Sequence, residues 1–223
     1  MVARNGAGRS GRDRRGSGNL GTVTTPGSWD ETYARDAPPP WDIGRPQPVF
    51  ARLAERGLLT GQVLDSGCGT GENTLLAAAH GATATGIDLS AHAIARAQAK
   101  AAERGLAVRF ETGDVLRLAD LGLGFGVIID SGVFHVFDDE DRVRYVTSLA
   151  SVLAPGGHCY LMCFSDRQPG DFGPRRVSQD ELRAAFGDGW SVDSIEAAAF
   201  ELNQPTFGIT SAQAWLAVIQ RLG

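Results

Sequence analysis

Residues 61–71 read Gly-Gln-Val-Leu-Asp-Ser-Gly-Cys-Gly-Thr-Gly, and their reading decides the fold. Val63 and Leu64 close a short apolar run, which reads as a buried strand; Asp65 follows, then glycines at 67, 69 and 71. The stretch Glu72–His80 that comes next is helical in pattern. A strand that turns into a helix through glycines brings backbone N–H groups close to a ligand, because no Cβ blocks the approach. Ala82–Ile87 reads as a second strand, and Asp88 stands at its end. An acid about 20 residues past such a glycine turn is placed to grip the hydroxyls of an adenosine ribose.

The glycine spacing narrows the ligand. A dinucleotide fold requires Gly or Ala after Gly-x-Gly-x-x, whereas counted from Gly67 that position is Glu72, and no P-loop Gly-Lys-Ser/Thr follows. Asp-x-Gly-x-Gly-x-Gly over 65–71 instead resembles motif I of the class I S-adenosylmethionine (SAM) methyltransferases. That resemblance implies a Rossmann-like α/β fold: a mostly parallel seven-stranded sheet with an antiparallel last strand and helices on both faces. It implies SAM as cofactor, no metal, and glycines 67, 69 and 71 passing close to its methionine part. Asp65, Asp88 and the adjoining Leu89 fall at the family's cofactor positions. Two carboxylates also suit a sulfonium better than a pyrophosphate.

Composition bounds the rest. The chain has 223 residues, 43% hydrophobic and 21% charged, which fits one soluble α/β domain. No apolar run reaches the 18 residues of a membrane span, and the basic N-terminus lacks the apolar stretch of a secretory signal. Cys68, Cys159 and Cys163 form neither a disulfide framework nor a metal-ligand spacing, which points to the cytoplasm. Residues 1–15 carry five arginines and one aspartate, about +4, so with a net −5 the remainder is near −9. An acidic body is a poor surface for nucleic acid. Lys100 is the only lysine, and nothing in the sequence places it in a site.

Residues 1–28, rich in Gly, Arg, Ser and Thr, read as a disordered basic tail, and 29–223 as one domain. Trp29, Tyr33 and Trp41 then fall among prolines, outside any strand pattern; Trp29 and Tyr33 share a face if helical. Trp29-x-x-x-Tyr33 followed by Pro40-Trp41-Asp42-x-Gly44 resembles the N-terminal cap of the thiopurine, thiol and halide methyltransferase branch. By that resemblance 29–46 is a lid, with Trp29 and Trp41 on the cofactor and Tyr33 on the acceptor.

Further along, a helix is expected over 47–57, another over Ala91–Arg104 capped by Ser90, and a strand over Ala107–Glu111. Gly113-Asp114 resembles the methyltransferase family's acidic position that accepts from the adenine amino group, with Val115 adjoining it on the cofactor. Strand 126–130 ends at Asp130 and opens into Ser131–Phe137, next to the first strand across the switch point, where a ligand lies beyond the strand ends. A helix over Asp138–Leu153 and a strand over His158–Phe164 come next. Residues 165–176 have no periodic pattern, and loops that long are usually functional. Ser178-x-x-Glu181 is a capping box for a helix over Gln179–Phe186, and strands over 190–199 and 212–221 close the chain. Gly173-Pro174 before Val177-Ser178 again resembles the thiol and halide branch. The runs 40–48, 130–141 and 164–179 resemble bacterial heterocyclic-toxin methyltransferases.

The expected activity is methyl transfer from SAM to N, O or S of a small planar heteroaromatic or phenolic molecule, by a monomer or homodimer. Trp29, Tyr33, Trp41, Phe134 and Phe172 would wall the acceptor, and Arg175 and Arg176 would hold an anionic edge. His135 is the candidate general base, with packing or a cofactor contact as its other reading. Asp130 is a second base, an orienting partner, a cofactor contact, or a bond to the turn's backbone. A C-methyltransferase of a quinone-like or lipid-like metabolite, a thiol or halide methyltransferase, and a non-catalytic SAM-binding protein share these motifs.

Overall fold

The computed structural model describes residues 26–171, 173–206 and 208–223, so the tail expected over 1–28 lies largely outside the described residues. The element order is α1 (Pro26–Tyr33), α2 (Pro48–Glu55), β1 (Gln62–Ser66), α3 (Glu72–Ala79), β2 (Thr83–Asp88), α4 (Ala91–Arg104) and β3 (Arg109–Thr112). Then come β4 (Phe125–Ser131), α5 (Asp139–Val152), β5 (Leu153–Phe164), α6 (Gln179–Ala185), β6 (Trp190–Thr206) and β7 (Ile209–Arg221). Short 3-10 turns occupy Val115–Leu121 and Phe134–Val136, neither of which a helical or strand period announces.

The strands form one seven-stranded sheet in the order β3-β2-β1-β4-β5-β7-β6. Pairings among β1 to β5 are parallel, and β7 runs antiparallel to both its neighbours. The chain reverses direction across the sheet between β1 and β4, so the carboxyl ends of those strands flank the crevice where ligands bind in open α/β sheets.

Adjacent residues along the central strands feed opposite cores. Leu64, Ile128 and Leu161 pack with Tyr145 and Leu149 of α5. Val63, Ile129 and Met162 pack with Phe50 and Leu53 of α2. A sheet covered on both faces has no solvent side, which is why these strands read as continuous apolar runs rather than alternating ones. Both sequence-read caps are present: Ser90 Oγ accepts from Ala93 N–H, and Ser178 and Glu181 form the full capping box. The last two strands run longer than the 190–199 and 212–221 expected. They extend as a hairpin past the carboxyl edge of the sheet, and that extension carries contacts the sequence did not disclose.

Candidate active site

At the end of β1, Asp65 is 1% exposed. Its Oδ2 accepts from Thr74 Oγ1 at 2.7 Å, while its Oδ1 is buried and has no partner. Burial, the leading cause, pushes its carboxyl up to about 7. A buried acceptor without a donor carries a desolvation cost. The oxygen therefore fits a ligand that brings an N–H, such as the ammonium of the cofactor's methionine part. At the end of β2, Asp88 accepts from Gly69 N–H at 2.8 Å and Ser90 N–H at 2.9 Å, one on each oxygen. That leaves lone pairs on both oxygens for a pair of ribose hydroxyls.

The glycines also make room for side chains of neighbouring segments. A Cβ on Gly69 (φ +53°) would sit 2.7 Å from the Tyr33 hydroxyl, and one on Gly67 (φ +68°) 2.2 Å from Val133. The space is needed by side chains of the neighbouring segments. The amides of Gly69 and Gly71 are already bonded, to Asp88 and to the Cys68 carbonyl.

Residues 26–47 form a strap over this end of the sheet, beginning with α1, so the boundary placed at residue 29 falls inside a helix. Asp30 accepts from Ser90 Oγ (2.8 Å) and the His92 amide (3.1 Å), and its carboxyl is lowered to about 2, chiefly by that amide. Tyr33 is buried and its hydroxyl accepts from Trp41 Nε1 at 3.0 Å; Trp29 meets Trp41 edge to face. Tyr33 therefore stands on the glycine turn. Asp42 accepts from Thr70 Oγ1 at 2.9 Å, and Thr70 in turn accepts from Lys100 Nζ at 2.8 Å. Lys100 also pairs with the mostly buried Glu72, so the chain's one lysine does reach the glycine turn.

The far end of the strap is held by the hairpin. Asn203 Nδ2 donates to the carbonyls of Pro39 (2.7 Å) and Asp42 (2.9 Å), and Asn203 N–H donates to Pro40 O. Gln47 and the Glu201 backbone exchange two hydrogen bonds, and Arg45 pairs with the Glu201 carboxylate. These partners are more than 150 residues apart in sequence, and no local signal could have joined them.

At the end of β4, Asp130 is fully buried and both oxygens are taken. Oδ1 accepts from Val133 N–H (2.7 Å), and Oδ2 accepts from Phe134 N–H (3.1 Å) and stands 3.1 Å from the Tyr145 hydroxyl. Burial pushes its carboxyl up to about 7. Asp130 thus builds the turn, which corrects its reading as a base or cofactor contact. The turn aims His135 at the carboxyl ends of β4 and β5. Its ring lies 5.2 Å from Phe164 and 5.8 Å from Phe200, and those two rings lie 5.5 Å apart. The Phe164 N–H donates to His135 Nδ1 at 2.9 Å. The ring proton therefore sits on Nε2. Burial, with Arg142 and Arg176 nearby, lowers its pKa to about 3. A neutral ring whose one lone pair is already occupied does not accept a proton, so the base expected at His135 is corrected to a neutral imidazole.

Other expectations fall differently. Phe134 is fully buried against Phe186, with the Arg142 guanidinium 4.6 Å over its ring, so it belongs to the core and not to an acceptor wall. Val115 likewise points into the core, Leu89 is half-buried, and Asp114 Oδ1 caps the following turn at Leu116 N–H. Arg175 is tied to Asp139 and Glu181 on the surface, away from any anion clamp. Arg176 clasps its own loop through the carbonyls of Gln168, Pro174 and Gly170, with its guanidinium 5.3 Å over Phe164. Phe172 lies outside the described residues. Phe164 and Phe200, which the sequence reading did not single out, pack on His135 at the carboxyl end of β5; Phe200 sits in the unanticipated part of β6. Among the described residues no group of three or more His, Cys, Asp or Glu could hold a metal ion, and no helix is long and apolar enough to cross a membrane.

Comparison with known proteins agrees with this geometry. Residues 63–157 match the family described as a methyltransferase domain. A 2-heptyl-1-hydroxyquinolin-4(1H)-one methyltransferase of Mycobacteroides abscessus is 38% identical over 194 residues, 83% of this chain and 86% of that protein. A solved structure reported for the conversion of a disulfide bond into a thioacetal group during echinomycin biosynthesis is 36% identical. It superposes with a TM-score of 0.79 over 87% of this chain and 92% of the other. Magnesium protoporphyrin IX methyltransferase from Synechocystis, solved with bound SAM, is 26% identical with a TM-score of 0.58 and covers 76% of each chain.

Proposed function

The chain belongs to the class I SAM-dependent methyltransferases, and from that premise we propose that it methylates an oxygen, nitrogen or sulfur atom of a small planar heteroaromatic molecule. The observation that carries the acceptor class is the cluster of His135, Phe164 and Phe200 beyond the ends of β4 and β5. Flat rings prefer edge and offset contacts with other rings, each worth about 0.5–1.5 kcal/mol beyond the area buried. The hydroxyquinolinone acceptor of the M. abscessus relative is such a ring.

When bound, SAM supplies an activated methyl group. The protein's part is to hold and align: Asp65 takes the cofactor's ammonium, Asp88 its ribose hydroxyls, and the Tyr33–Trp41 pair closes over the glycine turn. Alignment of two reactants contributes up to roughly 7–11 kcal/mol. The strap acts as the lid, the protein works in the cytoplasm as a monomer or homodimer, and nucleic acid is not its partner. The acidic body and the three free thiols support these last readings.

Sulfur acceptors are the second class, favoured by the similarity to the structure reported for the conversion of a disulfide bond into a thioacetal group. The test is methyl-labelled SAM offered with 1-hydroxyquinolin-4-ones, hydroxyquinolines, phenols, heteroaromatic thiols, quinones and tRNA. The N-hydroxy heterocycles should give the highest kcat/KM. Preferred methylation of a ring carbon or of tRNA would overturn the proposal.

A further inference from the structure

His135 is the polar group of the aromatic cluster, and its hydrogen-bonding state is fixed by the backbone. The Phe164 amide, at the last residue of β5, points its N–H at Nδ1 from 2.9 Å. With Nδ1 accepting, Nε2 carries the hydrogen. Nε2 has no protein partner among the described residues and is absent from the buried unsatisfied atoms, so it opens onto accessible space. A Cβ at Gly132 would lie 3.3 Å from Nε2 and 3.5 Å from Phe200, so it is the bare glycine that leaves this edge of the ring uncovered by a side chain. β5 and β6 present Phe164 and Phe200 to the ring; the charged groups bearing on it are Arg142 of α5 and Arg176 of the loop before α6. Arg142 is 5% exposed and its Nη2 is buried without a partner. Two guanidinium groups, that of Arg142 also paired with Glu181 at 3.3 Å, and a fixed N–H make this edge of the ring more favourable to an anion than to a second cation.

We propose that His135 is a positioning hydrogen-bond donor, and that the enzyme takes acceptors that arrive already ionised, such as N-hydroxy heterocycles and heteroaromatic thiols. This rests on the heteroaromatic reading above and makes it narrower. The acceptor's anionic oxygen or sulfur receives Nε2–H on one lone pair and turns another toward the methyl. The new bond joins that atom to the methyl carbon. The carbon–sulfur bond of the sulfonium breaks with its electron pair remaining on sulfur. An anion and a cation become two neutral products, and no proton changes hands in the site. A neutral phenol would need a base; the Nδ1 lone pair of His135 is already taken by the Phe164 amide, and Asp130 is fully buried within its own turn. Across the working range the ring stays neutral, because burial and the two arginines hold its pKa low.

The test uses the full chain with SAM and a series of ring-substituted 1-hydroxyquinolin-4-ones whose acidities span about two pH units. The acidic limb of kcat/KM against pH should shift with each acceptor's own pKa, one for one. Two variants separate donation from packing. His135→Gln keeps an N–H at the Nε2 position and should retain kcat/KM within about tenfold. His135→Asn keeps an acceptor for the Phe164 amide but reaches no further, and should lose about ten- to a hundredfold, with the acceptor-dependent limb unchanged. Nitrogen NMR of labelled histidine reads the tautomer directly, even in a poorly active variant background, and should find Nε2 protonated. A limb fixed at one pH for all acceptors, an Asn variant more active than the Gln variant, or a proton on Nδ1 would each overturn the inference alone. Absence of methylation on every member of the series would overturn the heteroaromatic reading and this inference together.

Discussion

Two buried aspartates close neighbouring strands, Asp65 on β1 and Asp130 on β4, and they are occupied in opposite ways. Ser66 and Asp130 are partners in the β1–β4 register, so the two carboxyls sit within one residue of each other across the ladder. Burial pushes both to about 7. Asp130 has both oxygens filled by its own turn. Asp65 keeps one oxygen buried and empty. A carboxylate bonded on both oxygens by the turn that follows it is part of the scaffold, whereas a buried oxygen left with no donor at all awaits a ligand. Sequence marked both as cofactor candidates, Asp130 with other readings open; hydrogen-bond counting separates them.

The largest expected effect breaks the scaffold side. Asp130→Ala strips two buried N–H groups of their acceptor and should cost about 3–5 kcal/mol in urea unfolding. Asp130→Asn, which keeps one acceptor oxygen, should cost less. If Asp130→Ala folds as stably as the parent while SAM binding vanishes, the assignment of the two aspartates is reversed.

Next in size, Asp65→Asn should weaken SAM binding by about 1.5–3 kcal/mol by calorimetry, since a charge-assisted bond is lost. It should leave unfolding within about 1 kcal/mol, because the amide oxygen still accepts from Thr74. The pH dependence sharpens the same contrast. Below about pH 7 the empty site holds Asp65 neutral, while a bound ammonium favours the carboxylate, so binding releases a proton. SAM affinity should therefore rise with pH up to about 7 and level off above it, by at most about 1.4 kcal/mol per pH unit below that point. Titrations in two buffers of different ionisation enthalpy would count the proton, and a flat profile would place the cofactor's ammonium elsewhere. The smallest effect lies in the roof over both. Asn203→Ala should cost about 1 kcal/mol and speed amide exchange in residues 41–47, with no change around Asp130.

What was legible in the chain follows the range of the forces involved. The strand, turn and acid of 61–88 are local, and so are the caps at Ser90 and Ser178; each is written within a few residues of where it acts. The site's other half is written in distant pieces. Phe164 and Phe200 look like ordinary strand residues until the sheet order brings β5 and β6 beside the turn after β4. His135 looks like a base until the Phe164 amide is seen to fill Nδ1. Arg175 looks like an anion clamp until α5 and α6 offer it Asp139 and Glu181. Identity of a residue type suggests a role, but only the partners that the fold delivers fix the donor and acceptor balance.

Pro38, Pro39 and Pro40 have carbonyls to offer and no N–H to give. Such a segment has few donors of its own, the Asp42 N–H on the Pro39 carbonyl among them, and Asn203 near the tip of the β6–β7 hairpin supplies more. The strap's seating is thus helped from the opposite end of the chain. Grafting hairpin tips of other lengths would raise, lower or tilt the roof as a modular part. That makes the hairpin the place to retune the enzyme for bulkier rings while its cofactor grip stays as it is.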